Sequence, residues 1–307
     1  MTSHTDQIID RRRLKRSLTL WRVVGIVAVV GVIVALAARF DVLPNGKSDP
    51  YVALLDVNGL ILEDLERNEV LEQLIDDDKA KALIIRIDSP GGTFVGGESL
   101  YFAIRALAKG KPVVAVIGNL GTSAAYMAAI ASQRIFVSSG SITGSIGVIM
   151  QSVDMTGMLE KIGINPVVVK SSPMKAQPNP LESFDPQSRV MIEGVIMDLQ
   201  NIFIDMVAER RNMPLEDTRI LSDGRILTGR QAIAAGLVDE IGGKKEALAW
   251  LVESAEISID LPIINVTPVD EVDRWSKVFS IFMGKTLFSE RLSLDGALSL
   301  WHSQLNL

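Results

Sequence analysis

Short apolar runs alternate with more polar stretches between residue 50 and about residue 137. The runs are rich in β-branched side chains and bounded by Gly, Pro or charged residues. This pattern predicts buried strands over Tyr51–Val57, Ala82–Ile87, Pro112–Ile117 and Ile135–Val137. The stretches between them predict helices over Glu63–Ile75 and Glu98–Lys109, and the small residues of Ser123–Ala131 permit a third. The alternation predicts an α/β fold with a mostly parallel sheet.

The pattern is less regular beyond residue 137. Ser138–Val148 is too rich in Gly and Ser for the interior of an element and predicts a functional or tightly turned loop. Two strands are predicted beyond this loop, at Pro166–Lys170 and, as an edge strand, at Ile263–Val266, and a proline-containing loop is predicted at Ser171–Pro180. Helices are predicted from Asp185 to about Arg211, between glycine turns within Leu221–Gly243, and at Lys244–Ser254.

The N-terminal forty residues have the pattern of a membrane anchor. A basic cluster between positions 11 and 16, followed by Arg22, precedes an uncharged run from Val23 to Ala38. About twenty apolar residues suffice for a spanning helix, and a basic cluster on its N-terminal side favours a cytoplasmic N-terminus. We therefore predict a cytoplasmic segment at 1–17 and a single transmembrane helix at 18–39. A cleavable signal peptide is the alternative, because Ala35-Leu36-Ala37 resembles a cleavage site.

The composition narrows the possible chemistry. The chain has 307 residues, no cysteine and two histidines, His4 and His302, each close to a terminus. Thiolate catalysis, disulfides and cysteine-type zinc sites are therefore excluded, and a Ser-His-Asp triad within the domain is not expected. The chain has 31 basic and 37 acidic residues, of which residues 1–39 contain seven basic and two acidic ones. The remaining 24 basic and 35 acidic residues give residues 40–307 a net charge of −11. Such an acidic domain, without a basic stripe, argues against a nucleic-acid partner.

A serine stands where a buried strand is expected to pass into a helix. After Pro112–Ile117, the turn Gly118–Gly121 leads to Ser123 and the small residues behind it. A hydroxyl at such a junction faces a cleft, and the first N–H groups of the helix point at incoming negative charge. A nucleophilic serine needs these surroundings, but an ordinary N-cap serine occupies the same position. The local residues leave both interpretations open.

An attacking serine also needs oxyanion donors and a base. Gly91 and Gly92 follow a predicted strand, and glycine lets backbone N–H groups approach a ligand closely, so the N–H groups of Gly92 and Ala124 are candidate donors. With histidine excluded, lysine is the natural base. Free lysine has a pKa of about 10.4, so a lysine base must be desolvated before it loses its proton. Lys170 and Lys175 lie beside an apolar run and a Ser/Pro loop, and composition alone does not choose between them.

Five blocks, in order, resemble the signal peptide peptidase A family of the short protease IV type, relatives of the Clp protease proteolytic subunit. They are Asp88-Ser-Pro-Gly-Gly92, Thr122-Ser-Ala-Ala-Tyr126, Thr143-Gly-Ser-Ile-Gly-Val-Ile149, Lys170-Ser-Ser-Pro-Met-Lys175 and Leu221–Gly243. The resemblance covers about Tyr51 to Leu251. The step from Ser123 to Lys175 also agrees with the dyad spacing of the short family.

The resemblance implies a role for each candidate residue. Ser123 would be the nucleophile, Lys175 the general base and Ser145 the residue that orients the lysine, while Gly92 and Ala124 would bind the oxyanion. The family usually has two glycines after the nucleophile, where this chain has Ala124 and Ala125. Alanine would be strained there if the site required a positive φ.

The resemblance also implies an architecture and an activity. It implies a Clp/crotonase-like spiral of β-β-α units in a protease domain at 51–260, after a linker at 40–50 and before a C-terminal extension at 261–307. The implied protein is a serine endopeptidase of the bacterial inner membrane, with its catalytic domain on the outer side, that degrades released signal peptides as a dome-like homo-oligomer. A lysine base requires no metal or organic cofactor. The alternatives are a related protease that clips particular membrane proteins, a crotonase-type acyl-CoA enzyme and a catalytically weak scaffold.

Overall fold

The computed structural model describes residues 20–32, 49–255 and 257–268. Residues 20–32 are helical (α1), within the predicted anchor. Across the described ranges, no helix has both the length and the apolar character that a membrane crossing requires. The basic segment 1–17, the remainder of the predicted anchor at 18–39, most of the linker, the C-terminal extension beyond 268 and both histidines lie outside the described residues.

A mostly parallel sheet forms the centre of the domain. In the described part of the chain it has eight strands, in the order β6-β5-β3-β2-β1-β8, with β4 paired to β3 and β7 paired to β4. Every pairing is parallel except that of β5 with β6. The strands are β1 (Tyr51–Ile61), β2 (Ala80–Gly92), β3 (Val113–Thr122), β4 (Arg134–Val137), β5 (Ile142–Gly144), β6 (Ile226–Thr228), β7 (Glu240–Ile241) and β8 (Ile263–Asn265).

Polar residues that accept from backbone N–H groups start several of the helices. The helices are α2 (Leu65–Asp76), α3 (Phe94–Leu107), α4 (Ala124–Ile130), α5 (Thr156–Lys161), α6 (Pro186–Arg211), α7 (Leu215–Leu221), α8 (Gly229–Ala234) and α9 (Lys244–Ala255). Asp64 caps α2, Thr93 caps α3 and Asp185 caps α6, each accepting from N–H groups of the first turn. Thr228 and Gln231 form a reciprocal capping box at the start of α8.

The predicted α/β class is confirmed, with several differences in the second half of the chain. The sequence pattern does not indicate α5, α7, β6 or β7. Pro166–Lys170 is not a strand, because the segment pairs with no neighbouring strand and Val167 and Val169 are almost fully exposed. Conversely, the Gly/Ser-rich stretch predicted as a loop contains β5, which pairs with Leu120–Thr122 of β3. A three-residue strand leaves too short an apolar run to be recognised in the sequence.

Both faces of the sheet are covered, since alternate residues of a strand point to opposite sides. Tyr51, Ala53 and Leu55 of β1 belong to the larger core, together with buried residues of α2, α3, α4 and α6. Val52 and Leu54 belong to the smaller core with Ala247 and Leu251 of α9. All seven residues of α4 are buried in the larger core. The helix that follows Ser123 is therefore enclosed on every side.

Arginine side chains close the far end of α4. The last carbonyl groups of a helix have no intrahelical donors. Arg210 of α6 donates from Nε to the Ile130 carbonyl (2.9 Å) and from Nη2 to the Ser132 carbonyl (3.1 Å), and Arg105 of α3 donates to the Ala131 carbonyl (3.3 Å). Two neighbouring helices thus fix α4 at the end opposite Ser123.

Replacing Arg210 with methionine is expected to lower the free energy of unfolding by about 2 kcal/mol. The substitution removes a charged donor, so the Ile130 and Ser132 carbonyl groups lose their hydrogen bonds from Arg210. Chemical denaturation of the purified protein measures the change. Arg230→Met, at an exposed position of α8, is the matched control and should stay within about 0.5 kcal/mol of the unsubstituted protein. Equal stability of the two variants would contradict the assigned role of Arg210.

Candidate active site

Three strands bring the candidate residues to one edge of the sheet. Because β2, β3 and β5 run parallel, their carboxyl ends lie together, and Gly92, Ser123 and Ser145 stand at or just after those ends. The ladder between β3 and β5 pairs Thr122 with Gly144, so Ser123 and Ser145 are the next residues on two adjacent strands. The fold itself therefore places them beside each other.

Ser123 has an unusual backbone conformation and a hydroxyl that the helix does not use. It precedes α4 with φ 55° and ψ −124°, and its side chain makes no capping hydrogen bond. Its N–H donates to the Gly144 carbonyl (2.9 Å), and its own carbonyl accepts from the Met127 N–H (2.9 Å). An N-cap serine has extended backbone angles and uses its hydroxyl on the first turn. Ser123 does neither, so its partly exposed hydroxyl is available for chemistry.

Strained backbone positions concentrate around the candidate residues. In the described part of the chain, four residues other than glycine have positive φ: Ser123, Ser145, Ala176 and Asn212. Asn212 ends α6 as a left-handed C-cap, which is an ordinary use of asparagine. Of the other three, Ser123 and Ser145 are candidate site residues, and Ala176 follows the candidate Lys175. Strain of about 1–3 kcal/mol per residue persists where the surroundings enforce it, and such positions cluster at active sites.

Close contacts require glycine at positions 91 and 92, in the turn that ends β2. A Cβ added at Gly91, which has φ 105°, would lie 2.9 Å from the Cβ of Ser123 and 2.9 Å from the Thr122 carbonyl oxygen. A Cβ added at Gly92 would lie 1.8 Å from the Ile61 carbonyl oxygen. A larger residue at Gly91 would collide with Ser123 and the turn before it, and a larger residue at Gly92 would collide with the backbone of β1.

Backbone N–H groups of two residues are directed at the site. The Thr93 N–H donates to the Ile61 carbonyl of β1 (3.0 Å), and successive N–H groups of an extended chain point to opposite sides. The N–H of Gly92 therefore points towards β3, which ends at Ser123. Ala124 is the first residue of α4, so its N–H has no intrahelical acceptor. These two groups can together bind the oxygen of a carbonyl attacked by Ser123.

The alanines after Ser123 are compatible with this geometry. Ala124 and Ala125 are helical and buried, and the positive φ of the turn falls on Ser123 instead. The side chain of Ala124 faces α3, where a Cβ added at Gly97 would lie 2.7 Å from the Ala124 Cβ. The departure from two glycines therefore leaves the backbone N–H of Ala124 in place.

The side-chain hydroxyl of Ser145 is not committed elsewhere. Ser145 has φ 50°, and its N–H donates to the Arg225 carbonyl (2.8 Å). Its Oγ has no hydrogen-bond partner among residues 20–32, 49–255 and 257–268, and the side chain is partly exposed. The backbone bond holds the residue while its hydroxyl remains able to bind a neighbouring group.

The two candidate lysines differ in their surroundings. Lys175 is exposed, and across the described ranges its Nζ makes neither a hydrogen bond nor an ion pair, so the structure does not bring it into contact with Ser123 or Ser145. Lys170 is only 13% exposed in its side chain, and its Nζ forms an ion pair with Glu182. The Nζ of Lys170 is therefore already engaged by a carboxylate, which leaves Lys175 as the candidate base.

The segment that carries Lys175 packs little against the rest of its own chain. Between β5 and α6 most residues from 149 to 182 are at least partly exposed. Several are large apolar residues that remain in contact with solvent: Ile149, Met150, Val153, Met158, Ile162, Ile164, Val167, Val168, Val169, Met174 and Leu181. A shallow apolar cavity of about 490 Å³ lies between this segment and the start of α6, lined by Met174, Pro186, Gln187, Val190 and Met191. Exposed apolar area of this extent marks an interaction surface.

Two features of the site are absent from the sequence interpretation. Thr122 donates from Oγ1 to the Pro90 carbonyl (3.0 Å), which ties the glycine loop to the turn before Ser123. Glu182 accepts three hydrogen bonds within the loop 170–182, which carries Lys175 and is called the lysine loop below. Thr122 stands beside the serine, so a search for polar neighbours would have included it, whereas Glu182 carries no local signal in the sequence.

Comparisons with known proteins identify a peptidase family. Residues 105–258 match the model of Peptidase family S49. A candidate protease of Synechocystis sp. is 36% identical over 215 residues, which cover 68% of this chain and 76% of that protein. A candidate signal peptide peptidase, SppA, of Enterococcus faecium is 32% identical over 235 residues, covering 71% and 67%. A solved structure of a ClpP1 variant from Listeria monocytogenes has a TM-score of 0.42 and 16% identity, covering 63% of this chain and 92% of that one.

Glycine at position 123 is expected to make the protein more stable than alanine does, by about 1 kcal/mol. The relief of strain of about 1–3 kcal/mol is partly offset by the extra chain entropy of glycine, about 0.5–1 kcal/mol. Ser123→Gly and Ser123→Ala are compared by chemical denaturation. At Ser183, an exposed residue whose φ is not positive, alanine should be the more stable of the two. The same order at both positions would show that the turn at Ser123 is not strained.

Proposed function

The chain belongs to peptidase family S49, the signal peptide peptidase A family, and is a serine peptidase; within that family we propose that it works with a Ser-Lys dyad of Ser123 and Lys175. The observation that carries the proposal is the uncapped hydroxyl of Ser123, held in a strained turn beside the N–H groups of Gly92 and Ala124. This arrangement corresponds to a nucleophile elbow, in which a sharp strand-to-helix turn exposes the serine.

The proposed reaction follows from these positions. Neutral Lys175 takes the proton from Ser123 Oγ, which attacks the carbonyl carbon of the scissile bond. The resulting oxyanion is stabilised by the N–H groups of Gly92 and Ala124, where loss of one donor typically costs about a hundred- to thousandfold in rate. Lys175 then returns its proton to the leaving amine, and water hydrolyses the acyl-enzyme by the reverse sequence of proton transfers. Ser145 holds the lysine amine with its hydroxyl.

Completion of the dyad requires a change at Lys175. Its side chain is exposed in the single chain, and among the described residues its Nζ has neither a hydrogen-bond nor an ion-pair partner. We propose that assembly into a homo-oligomer covers the exposed apolar segment 149–182, removes water from Lys175 and brings its Nζ to Ser123. The resemblance to the Clp and crotonase folds supports both the spiral of β-β-α units and a dome-like assembly.

Apolar peptides are the substrates that we propose. Methionine and valine side chains line the cavity between Met174 and the start of α6, and flexible methionines adapt to varied apolar partners. Signal peptides left after preprotein processing are short and apolar, so they fit such a surface, as would apolar segments of particular membrane proteins. Membership of a peptidase family favours both over an acyl-CoA substrate.

Replacing Ser123 with alanine is expected to lower kcat/KM for an apolar peptide by at least about a thousandfold, as loss of a nucleophile does in other serine peptidases. Lys175→Arg should be as inactive as Lys175→Ala, because a guanidinium group does not lose its proton in the accessible pH range. Lys245→Met, at an exposed lysine of α9 outside segment 149–182, is the control and should retain full activity.

The pH profile checks the identity of the base in the same experiment. kcat/KM reports the base of the free enzyme, so with a lysine base the rate should rise through an alkaline limb and be highest above neutrality. A histidine base would give a limb near pH 6 to 7. An active Lys175→Arg variant, or a limb at pH 6 to 7, would overturn the proposed dyad.

The proposed location is the inner membrane, with the catalytic domain on the outer side. The basic cluster at positions 11–16 precedes the apolar run, and Arg39 is the one basic residue close behind it. A reporter enzyme that is active only in the periplasm, fused after Asp49, should be active. A reporter active only in the cytoplasm, fused at the same place, should be silent, and a signal from it would contradict both the orientation and the location.

A further inference from the structure

A polar cluster of Glu182 with Lys170, Gln177 and Asn179, called the hub below, closes the loop that carries Lys175. One carboxylate oxygen, Glu182 Oε2, accepts hydrogen bonds from Lys170 Nζ, Gln177 Nε2 (3.0 Å) and Asn179 Nδ2 (2.6 Å). The three donors lie on both sides of Lys175 along the chain. Glu182 therefore joins the start of the loop, before Lys175, to its end.

Further hydrogen bonds hold the same loop from within. Asn179 Nδ2 also donates to the Ala176 carbonyl (3.0 Å), and Asn179 Oδ1 accepts from the Leu181 N–H (3.0 Å). The Lys175 N–H donates to the Ser172 carbonyl (3.2 Å). These bonds span only a few residues each, whereas the Lys170–Glu182 pair spans the whole loop.

The Lys170–Glu182 pair of the hub is less exposed than the surface pair of Arg134 and Glu240. The side chains of Lys170 and Glu182 are 13% and 27% exposed, against 37% and 47% for Arg134 and Glu240. Hydrogen bonds from Lys170, and then from Asn179, hold the pKa of Glu182 below its ordinary value. A carboxylate with a lowered pKa stays charged as pH rises, and its contribution is lost only at acidic pH. The carboxylate of Glu182 therefore stays charged throughout the alkaline range in which a lysine base works.

We propose that Glu182 is a positioning residue, which holds loop 170–182 closed so that Lys175 is presented in one place. The proposal rests on the assignment of Lys175 as general base. Residues 171–175 are exposed and have little packing to fix them, so the hub is what gives the loop a defined shape. It also assigns Lys170 a role: its ammonium closes the loop and does not take part in proton transfer.

The expected effect of opening the loop is on the chemical step. Displacement of a catalytic group by about 1 Å can cost on the order of a hundredfold in rate. Glu182→Gln keeps the size of the side chain but loses its charge, and should lower kcat on the order of tenfold. Glu182→Ala should lower kcat on the order of a hundredfold, with KM changed by less than about threefold, because Glu182 does not contact the substrate.

The pH profile separates positioning from general damage to the fold. A variant with a smaller folded fraction loses rate equally at every pH. With the loop open, Lys175 remains more solvated, so the alkaline limb of kcat/KM should move to higher pH. Glu240→Gln breaks the surface pair between β7 and β4 and should leave both the rate and the profile unchanged. Thermal unfolding of each variant confirms that the folded states are compared.

A double substitution tests whether Lys170 and Glu182 act as one unit. Lys170→Met combined with Glu182→Ala should be no slower than Glu182→Ala alone, since effects within one network are not additive. Three results would each overturn the positioning role of Glu182. They are a double variant whose loss of rate is the product of the two single losses, a pH profile of Glu182→Ala that is not shifted, and a rate of Glu182→Ala equal to that of the unsubstituted enzyme. If these appear while Lys175→Ala is inactive, the dyad stands and only the role of Glu182 fails. An active Lys175→Ala variant would overturn both.

Discussion

The strained turn at Ser123 is the constraint on which the rest of the site depends. A serine with φ 55° and ψ −124° is held there because its N–H is bound by Gly144 and Gly91 leaves no space on the other side. In this conformation the hydroxyl makes no hydrogen bond to the helix that follows, and the N–H of the next residue is left without an intrahelical acceptor. A relaxed turn would turn the same serine into an N-cap, with its hydroxyl used by α4. The geometry of one residue thus separates a nucleophile from a structural serine.

The surrounding fold supplies the rigidity that this turn requires. The enclosed helix α4 cannot shift, because α3 packs against Ala124 at one end and Arg210 binds the last carbonyl groups at the other. Tyr126, fully buried, donates from its hydroxyl to the Leu237 carbonyl (2.7 Å) and anchors the middle of the helix. By contrast, the lysine loop depends on a polar hub and lies in a segment with exposed apolar side chains. One half of the proposed dyad is built into the core, whereas the other half lies in this exposed segment.

The sequence predicts the built-in half well and the other half poorly, for physical reasons. Strands such as β1, β2 and β3 are buried on both faces, so continuous β-branched runs reveal them, and Ser123 follows from its place after β3. The strand β5, three residues with a glycine, has no such run, although it positions Ser145 through Gly144. The apolar run at 166–170 has the composition of a strand but no neighbour to pair with in the single chain. Lys175 and Glu182 depend on contacts between side chains, which no periodicity encodes.

Active-site labelling tests the central claim most directly. The purified, assembled enzyme is treated with a fluorophosphonate, which forms a covalent adduct with activated serines, and the modified residue is mapped by mass spectrometry. The account predicts a single adduct at Ser123 that forms faster at alkaline pH and is strongly reduced in Lys175→Ala. An adduct at another serine, or undiminished labelling of Ser123 without Lys175, would contradict it.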